Sequence, residues 1–319
     1  VYNYGILVLN FHAWLKNDLK IKEGKIQNFI EKIKRKEAIL PTYDAILIDV
    51  GHDFQADWLS LVSSLLNEQT QSLLLVEDRA QEIYKRKRSY VQDTGLSFQG
   101  RSKILSINYR NTAQIVKFAW DFYRKHSMLK NKVVNRELEG EIIAPQSTKR
   151  KGPEAGIIRA TNFYEEMKLV ARQMKKLHDE RKVPYNEMLI LYRVKRTSKY
   201  PIIDMIKRSL KDAGLPYFWI TENEQSKRSF EKEDGCIKIS TIDSSKGLDF
   251  RAVFIVNTDS MPFPLEEDRE REVSLLYIGM TRAKEFLCLS YSGTSEFTQY
   301  LDSILVERTK QKNEKVNIK

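Results

Sequence analysis

Asp49 closes the apolar run ILID and opens the polar turn VGHDF. An acid at the carboxyl end of a buried strand is placed to hold magnesium, directly or through water. Gln81, in VEDRAQEIY, carries the amide needed to orient a water against a phosphate. Arg110, in SINYRNT, and Arg282, in YIGMTRAK, each follow an apolar stretch, and two arginines across a cleft can clamp a transferring phosphoryl group. The segment TIDSSKGLDF, Thr241 to Phe250, holds a Ser-Ser-Lys-Gly turn whose backbone amides and Lys246 suit phosphate. Each feature alone has a plainer explanation. Strands often end in Asp, loop glutamines are usually solvated, a lone arginine is an ordinary surface charge, and a polar turn with glycine is often just a turn.

The elements that must carry these residues are legible as a pattern. From residue 1 to about 145 apolar strands alternate with helices: GILVLN, a lysine-rich helix, YDAILIDV, a helix through WLSLVSSLL, then the strands SLLLVED and KILSIN. That alternation implies a parallel sheet covered on both faces. APQSTKRKGPEAG, residues 144–156, combines Pro, Gly, Ser and basic residues and reads as a linker or long loop. The pattern resumes with GIIRAT, the helix FYEEMKLVARQMKKLHDE, the strand MLILYRV, the helix PIIDMIKRSLKDAG, the strands PYFWIT, CIKIST and AVFIV, a helix through VSLLYIGMTRAK and the strand EFLCLSYS. The expected fold class is α/β with two successive parallel-sheet domains, and the polar tail ERTKQKNEKVNIK is expected to fray.

A chain of 319 residues is long enough for two domains with their own cores. Apolar residues make up 41% and charged residues 30%, and no apolar run is long enough to span a bilayer, so membrane classes are set aside. The first residues have a short apolar core but neither a basic region ahead of it nor a small-residue cleavage site, so no signal peptide is expected. Two cysteines, Cys236 and Cys288, stand far apart outside any metal-ligand spacing, which fits a reducing cytoplasm. The net charge of +11 favours a polyanionic partner, with nucleic acid ahead of the alternative that the lysines are solvated faces. Lys85 to Arg88, four basic residues between tyrosines in IYKRKRSY, suit phosphate contact with base stacking.

Read in order, IDVGHDF, VEDRAQEIY, INYRNT, TIDSSKGLDF and LLYIGMTRAK resemble the successive motifs of superfamily 1 DNA helicases of the UvrD/Rep/PcrA type. The resemblance runs from NFHAWL, Asn10 to Leu15, to LSYSG near Gly293. It implies two RecA-like domains with ATP and magnesium in the cleft between them and single-stranded DNA across their top. By resemblance Asp49 is the magnesium acid, Gln81 senses the γ-phosphate, Tyr109 stacks on adenine, and Arg110 and Arg282 contact phosphate. Thr241, Lys246, Gly247 and Asp249 match the motif linking DNA and nucleotide, with Asp249 in place of the usual glutamate near the ribose. Phe11, His12 and Tyr84 fall where the family contacts single-stranded DNA, although His12 alone reads equally as a structural histidine. The domains implied are an incomplete first RecA-like domain over 1–106, with a degenerate magnesium motif, and a second over 107–319.

Several departures bear on activity. No G-x-x-x-x-G-K-[ST] loop occurs, and the chain is expected to begin downstream of it, so a preceding segment or a partner protein is expected to supply that loop. In the family's D-E-x-Q-D the second acid polarises the attacking water; here the run is Asp49, Val50, Gly51, His52, Asp53. That role is worth roughly 10²–10⁴ in rate. Asp243 stands where T-x-H-x-x-K-G has histidine. The insertions that larger helicases carry, called 1B and 2B, are expected to be reduced or absent. The expectation is a UvrD-like helicase fragment or subunit that does not hydrolyse ATP as this chain alone. The alternative is a non-catalytic helicase-like scaffold in a repair or defence complex; a nuclease finds no supporting acid cluster.

Overall fold

A computed structural model describes residues 6–38, 40–77, 90–101, 107–127, 146–147, 150–229 and 234–317. Gln81, Tyr84 and the basic run from Lys85 to Arg88 lie outside the described residues, as does the side chain of His52. The chain divides into two compact units, 1–104 and 105–319.

In the first unit, helix α1, Phe11–Asn17, starts where the Asn10 side chain accepts a hydrogen bond from the Ala13 amide at 3.1 Å. Helix α2, Ile26–Lys34, strand β1, Ala45–Ile48, helix α3, Ala56–Ser63, strand β2, Ser72–Leu75, and the short helix α4, Tyr90–Thr94, follow. The expected continuous lysine-rich helix is instead broken, with a 3₁₀ turn at Glu23–Lys25 ahead of α2. Its apolar side is not solvated: Ile26, Phe29, Ile30 and Ile33 pack with Trp14, Leu15, Trp58 and Leu61. Strands β1 and β2 pair in parallel with Leu47 opposite Leu74 and Ile48 opposite Leu75. Ile48 and Leu75 join Leu59 and Val62 of α3, whereas Leu47 and Leu74 are 64% and 56% exposed. Among the described residues this sheet is therefore covered on one face, not two. The strand expected at GILVLN is also absent: residues 6–10 carry no regular structure and Ile6 to Leu9 are exposed.

The second unit realises the expected alternation closely. Strand β3, Ile107–Asn108, precedes helix α5, Ala113–His126, and pairs with β4, Gln146–Ser147. Then come β5, Gly156–Arg159, α6, Phe163–Arg181, β6, Met188–Tyr192, α7, Ile202–Asp212, β7, Tyr217–Trp219, α8, Glu224–Ser229, β8, Ile237–Thr241, β9, Phe250–Ile255, α9, Arg269–Thr281, β10, Ala283–Tyr291, and α10, Glu296–Asn317. Six of these strands form one parallel sheet in the order β5-β10-β9-β6-β8-β7. All five residues of central β6 are buried, as a parallel strand covered on both sides requires. Helix α9 is apolar or buried on all sides, the pattern of a helix inside a core. The polar tail does not fray early, since α10 continues to Asn317. Residues 150–155 are a pinned loop: Arg150 O accepts from the Ala113 amide at 2.9 Å, and Gly152 N donates to Gln114 Oε1 at 2.8 Å. A side chain at Gly152 would collide with Thr112, 2.6 Å from its would-be Cβ.

Candidate nucleotide-phosphate corner

The second unit gathers residues from three distant stretches at one corner. The first is the turn Asn108-Tyr109-Arg110-Asn111. Asn108 Oδ1 accepts from the amides of Arg110 and Asn111 at 2.9 and 3.0 Å, and its Nδ2 donates to Asn111 Oδ1 at 2.7 Å. An Asx turn of this kind holds two residues outward between two asparagines. Tyr109 is accordingly 76% exposed. Asn111 is buried, and its Nδ2 donates to the carbonyls of Thr281 and Ala283 at 2.9 and 2.6 Å. Those carbonyls flank Arg282, so one amide fastens the Tyr109-Arg110 turn to the end of α9 and the start of β10.

Arg282 caps α9 instead of lying within it. It is 1% exposed, with Nε donating to Ile278 O at 3.1 Å, Nη1 to Leu248 O at 3.3 Å and Nη2 to Thr281 Oγ1 at 3.3 Å. Its own carbonyl accepts from the Phe250 amide at 3.0 Å. The guanidinium thus supports the loop that delivers Asp249. The Asp249 carboxylate stands between two cations, Arg110 Nε at 3.5 Å and Lys284 Nζ at 3.1 Å. Gly247, at φ +80°, takes the left-handed backbone that the turn before Asp249 requires. An exposed aromatic beside a pinned arginine and further cations offers a stacking surface and anion binding side by side.

Thr241 is not brought to this corner. In a parallel sheet it stands at the carboxyl end of β8, whereas Asp249 and Arg282 precede the amino ends of β9 and β10. Its Oγ1 accepts from the Ser244 amide at 3.2 Å and shapes the turn that bears Lys246. Asp243, standing where the family pattern has histidine, is held in an ion-pair network. Arg271 Nη2 is 2.7 Å from Asp243 Oδ1 and Arg193 Nη1 is 3.4 Å from Oδ2. Arg193 also binds the buried Glu272 at 2.7 Å, and Glu272 accepts from the Phe263 amide at 2.9 Å. The substitution therefore has a local structural use.

In the first unit Asp49 is exposed, and its Oδ1 accepts from the Val50 amide at 2.9 Å. Val50 has φ +57°, a conformation that a β-branched residue adopts only under constraint. The constraint is next door: Gly51 N donates to Val76 O at 2.8 Å, and a Cβ on Gly51 would lie 2.5 Å from Leu75 Cδ1. Among the described residues no group of three or more His, Cys, Asp or Glu could hold a metal ion. Phe11 is committed to an aromatic cluster, with ring centroids 5.0 Å from Phe54 and 4.9 Å from Trp58. His12 is exposed and meets Trp58 edge-on at 4.9 Å.

A family profile, the UvrD-like helicase C-terminal domain, matches residues 104–225 and 220–294, more than half of the chain. The chain belongs to the UvrD-like helicase family. Among its relatives, a probable DNA helicase of Mycoplasma pneumoniae is 25% identical over 278 residues, covering 83% of this chain and 47% of that protein. The mitochondrial ATP-dependent DNA helicase HMI1 of Saccharomyces cerevisiae is 34% identical over 108 residues, covering 34% of this chain and 14% of that protein. The chain thus spans less than half the length of the Mycoplasma relative. The solved C-terminal domain of a possible DNA helicase from Lactobacillus plantarum is 18% identical over 60% of this chain and 92% of its own, at a TM-score of 0.40. The profile falls on the second unit and takes in the whole corner from Tyr109 to Lys284.

Sequence motifs alone passed over Asn111 and Lys284. The signal for Asn111 was present, since two asparagines three apart flank Tyr109-Arg110. Lys284 carried no such signal, because only folding brings it to Asp249.

Proposed function

We propose that this UvrD-like chain binds the phosphates of ATP through the second-unit corner and binds single-stranded DNA, without hydrolysing ATP on its own. The observation that carries the reading is the convergence of Tyr109, Arg110, Asp249 and Arg282 through the buried Asn111. The donor set fits the group: Tyr109 offers its ring to a base, Arg110 its fork to phosphate, and Asp249 an acceptor for a sugar hydroxyl. Arg282 acts through the backbone it supports. Asp49, a single exposed carboxylate at a strand end, fits magnesium of the kind held mainly by water and phosphate. Bound magnesium would neutralise phosphate charge. Thr241, Lys246, Phe11, His12 and, outside the described residues, Tyr84 are the proposed DNA contacts, and Gln81 the proposed phosphate sensor. The domain assignment proposed is an incomplete RecA-like domain over 1–106 and a second over 107–319. The phosphate loop would come from a further segment or a partner protein.

A second reading, a non-catalytic helicase-like subunit, is favoured by Val50 in place of the water-polarising acid and by the burial of Arg282. Both readings expect no ATP turnover from the purified chain, with or without single-stranded DNA; DNA-stimulated turnover that disappears in Arg110→Ala would overturn both. Binding of a fluorescent ATP analogue separates them. Saturable binding lost in Arg110→Ala supports the first reading, and its absence supports the second.

A further inference from the structure

The Asp249 carboxylate has one cation on each oxygen, and the two contacts are not alike. Lys284 Nζ lies 3.1 Å from Oδ1, inside hydrogen-bonding range, whereas Arg110 Nε lies 3.5 Å from Oδ2, outside it. All three side chains are partly exposed, at 44%, 34% and 41% for Arg110, Asp249 and Lys284. Ion pairs at that exposure are weak and reversible. The backbone of Arg110 is not free to follow its side chain. Its amide donates to Asn108 Oδ1 at 2.9 Å and its carbonyl accepts from Arg150 at 3.0 Å. The movable part is the guanidinium, and it is held by the weaker of the two contacts.

We propose that Lys284 is a positioning residue of the phosphate corner: it keeps Asp249 neutralised so that Arg110 can leave the carboxylate for an incoming phosphate. The inference rests on the nucleotide reading above. A phosphate taking Arg110 would otherwise face an unpaired carboxylate at close range, and like charges at that distance repel. With Lys284 remaining on Oδ1, Arg110 is exchanged from a single carboxylate oxygen 3.5 Å away to a phosphate that its fork can meet with two hydrogen bonds. Without Lys284, Arg110 is the one counter-ion left to Asp249 among the described residues, and the carboxylate competes with the ligand for it.

The test is a double-mutant cycle on the full chain, read by fluorescence anisotropy of methylanthraniloyl-ATP with magnesium, with inorganic tripolyphosphate as competitor. Lys284→Ala is expected to weaken binding about 3- to 10-fold and Lys284→Arg to restore it, each ratio being taken within its own background so that any loss Asp249→Asn causes at the sugar contact cancels. In the Asp249→Asn background Lys284→Ala is expected to matter less than about 2-fold, because the carboxylate that needed neutralising is gone. An equal loss in both backgrounds would mean that Lys284 touches phosphate directly and would overturn the positioning role, as would an unchanged affinity in Lys284→Ala. Failure of the unsubstituted chain to bind the probe would overturn the nucleotide reading and this inference with it. Binding that persists while the cycle shows no coupling overturns this inference alone. Both side chains are partly exposed, so urea midpoints are expected to stay unchanged and to separate binding losses from unfolding.

Discussion

The two stretches expected to handle phosphate differ in how they are built. In the second unit the turn at Tyr109 and Arg110 hangs on buried bonds: Asn111 to two main-chain carbonyls, and Arg282 to two more and to Thr281. In the first unit Asp49 stands at the surface on a two-stranded sheet, and what fixes its turn is the strained Val50 and the close approach at Gly51. A parallel sheet gains stability from being covered on both faces and paired along its length. Central β6 of the six-stranded sheet is buried on both faces with a neighbour on each edge; among the described residues the two-stranded sheet is covered on one face, and each strand has a single neighbour. A functional side chain can therefore be immobilised by burial in the second unit, whereas in the first only local backbone geometry holds it.

Substitutions sharpen this contrast, beginning with Arg282. Arg282→Ala removes a large buried side chain, takes the guanidinium donor from Leu248 O and leaves Ile278 O with Thr281 Oγ1, so the second unit should lose about 3–5 kcal/mol in urea unfolding. Loss of nucleotide binding in that variant would then report unfolding as much as chemistry, which is why Arg110→Ala is the better probe. A loss below about 1 kcal/mol would break the contrast, because it would mean the corner does not depend on the guanidinium.

Glu166 gives the next largest effect. It is fully buried where α6 meets the ends of β9 and β10, its Oε1 accepting from Asn257 N at 2.7 Å and Ser290 Oγ at 2.8 Å, with Oε2 unpartnered among the described residues. Burial pushes its pKa up from 4.5 to about 7, against the lowering effect of those hydrogen bonds. Below pH 4.5 folded and unfolded states both carry the proton and the contribution is complete. As pH rises toward 7 the unfolded state releases the proton first, so the second unit should lose roughly 3 kcal/mol across that window and level off above it. Glu166→Gln should flatten this slope in urea midpoints measured from pH 4 to pH 8; an unchanged slope would assign it elsewhere.

The smallest effect belongs to the first unit. Val50→Gly replaces a β-branched residue at φ +57° with one that adopts it freely. It should raise the stability of that unit by about 1 kcal/mol, net of the greater freedom glycine gives the unfolded chain. A destabilised variant would show that the Val50 side chain contributes more by packing than its backbone costs.

How much of this was legible beforehand differed between the units for the same reason. In the second, strands such as MLILY are uninterrupted apolar runs bounded by helical patterns, and tertiary packing had no reason to override them. In the first, the apolar run GILVLN reads as a strand, yet a strand needs a neighbouring strand for its backbone, and among the described residues none pairs with residues 6–10. The 3₁₀ break before α2 was hidden in a segment whose charges resemble a solvated helix while its isoleucines pack inward. At the candidate corner, motif order singled out Tyr109, Arg110, Asp249 and Arg282, but not that Arg282 is buried while Tyr109 is exposed.

The order and spacing of residue types therefore determined the family and the α/β alternation, because local periodicity and motif order survive in one dimension. Tertiary structure alone decided that Arg282 is a buried support, that Asp243 serves an ion-pair network with Arg193 and Arg271, and that Lys284 shares Asp249 with Arg110. Burial and charge pairing depend on which distant segments meet, and that is set by the packing of α9 and β10 against the Asn108–Asn111 turn.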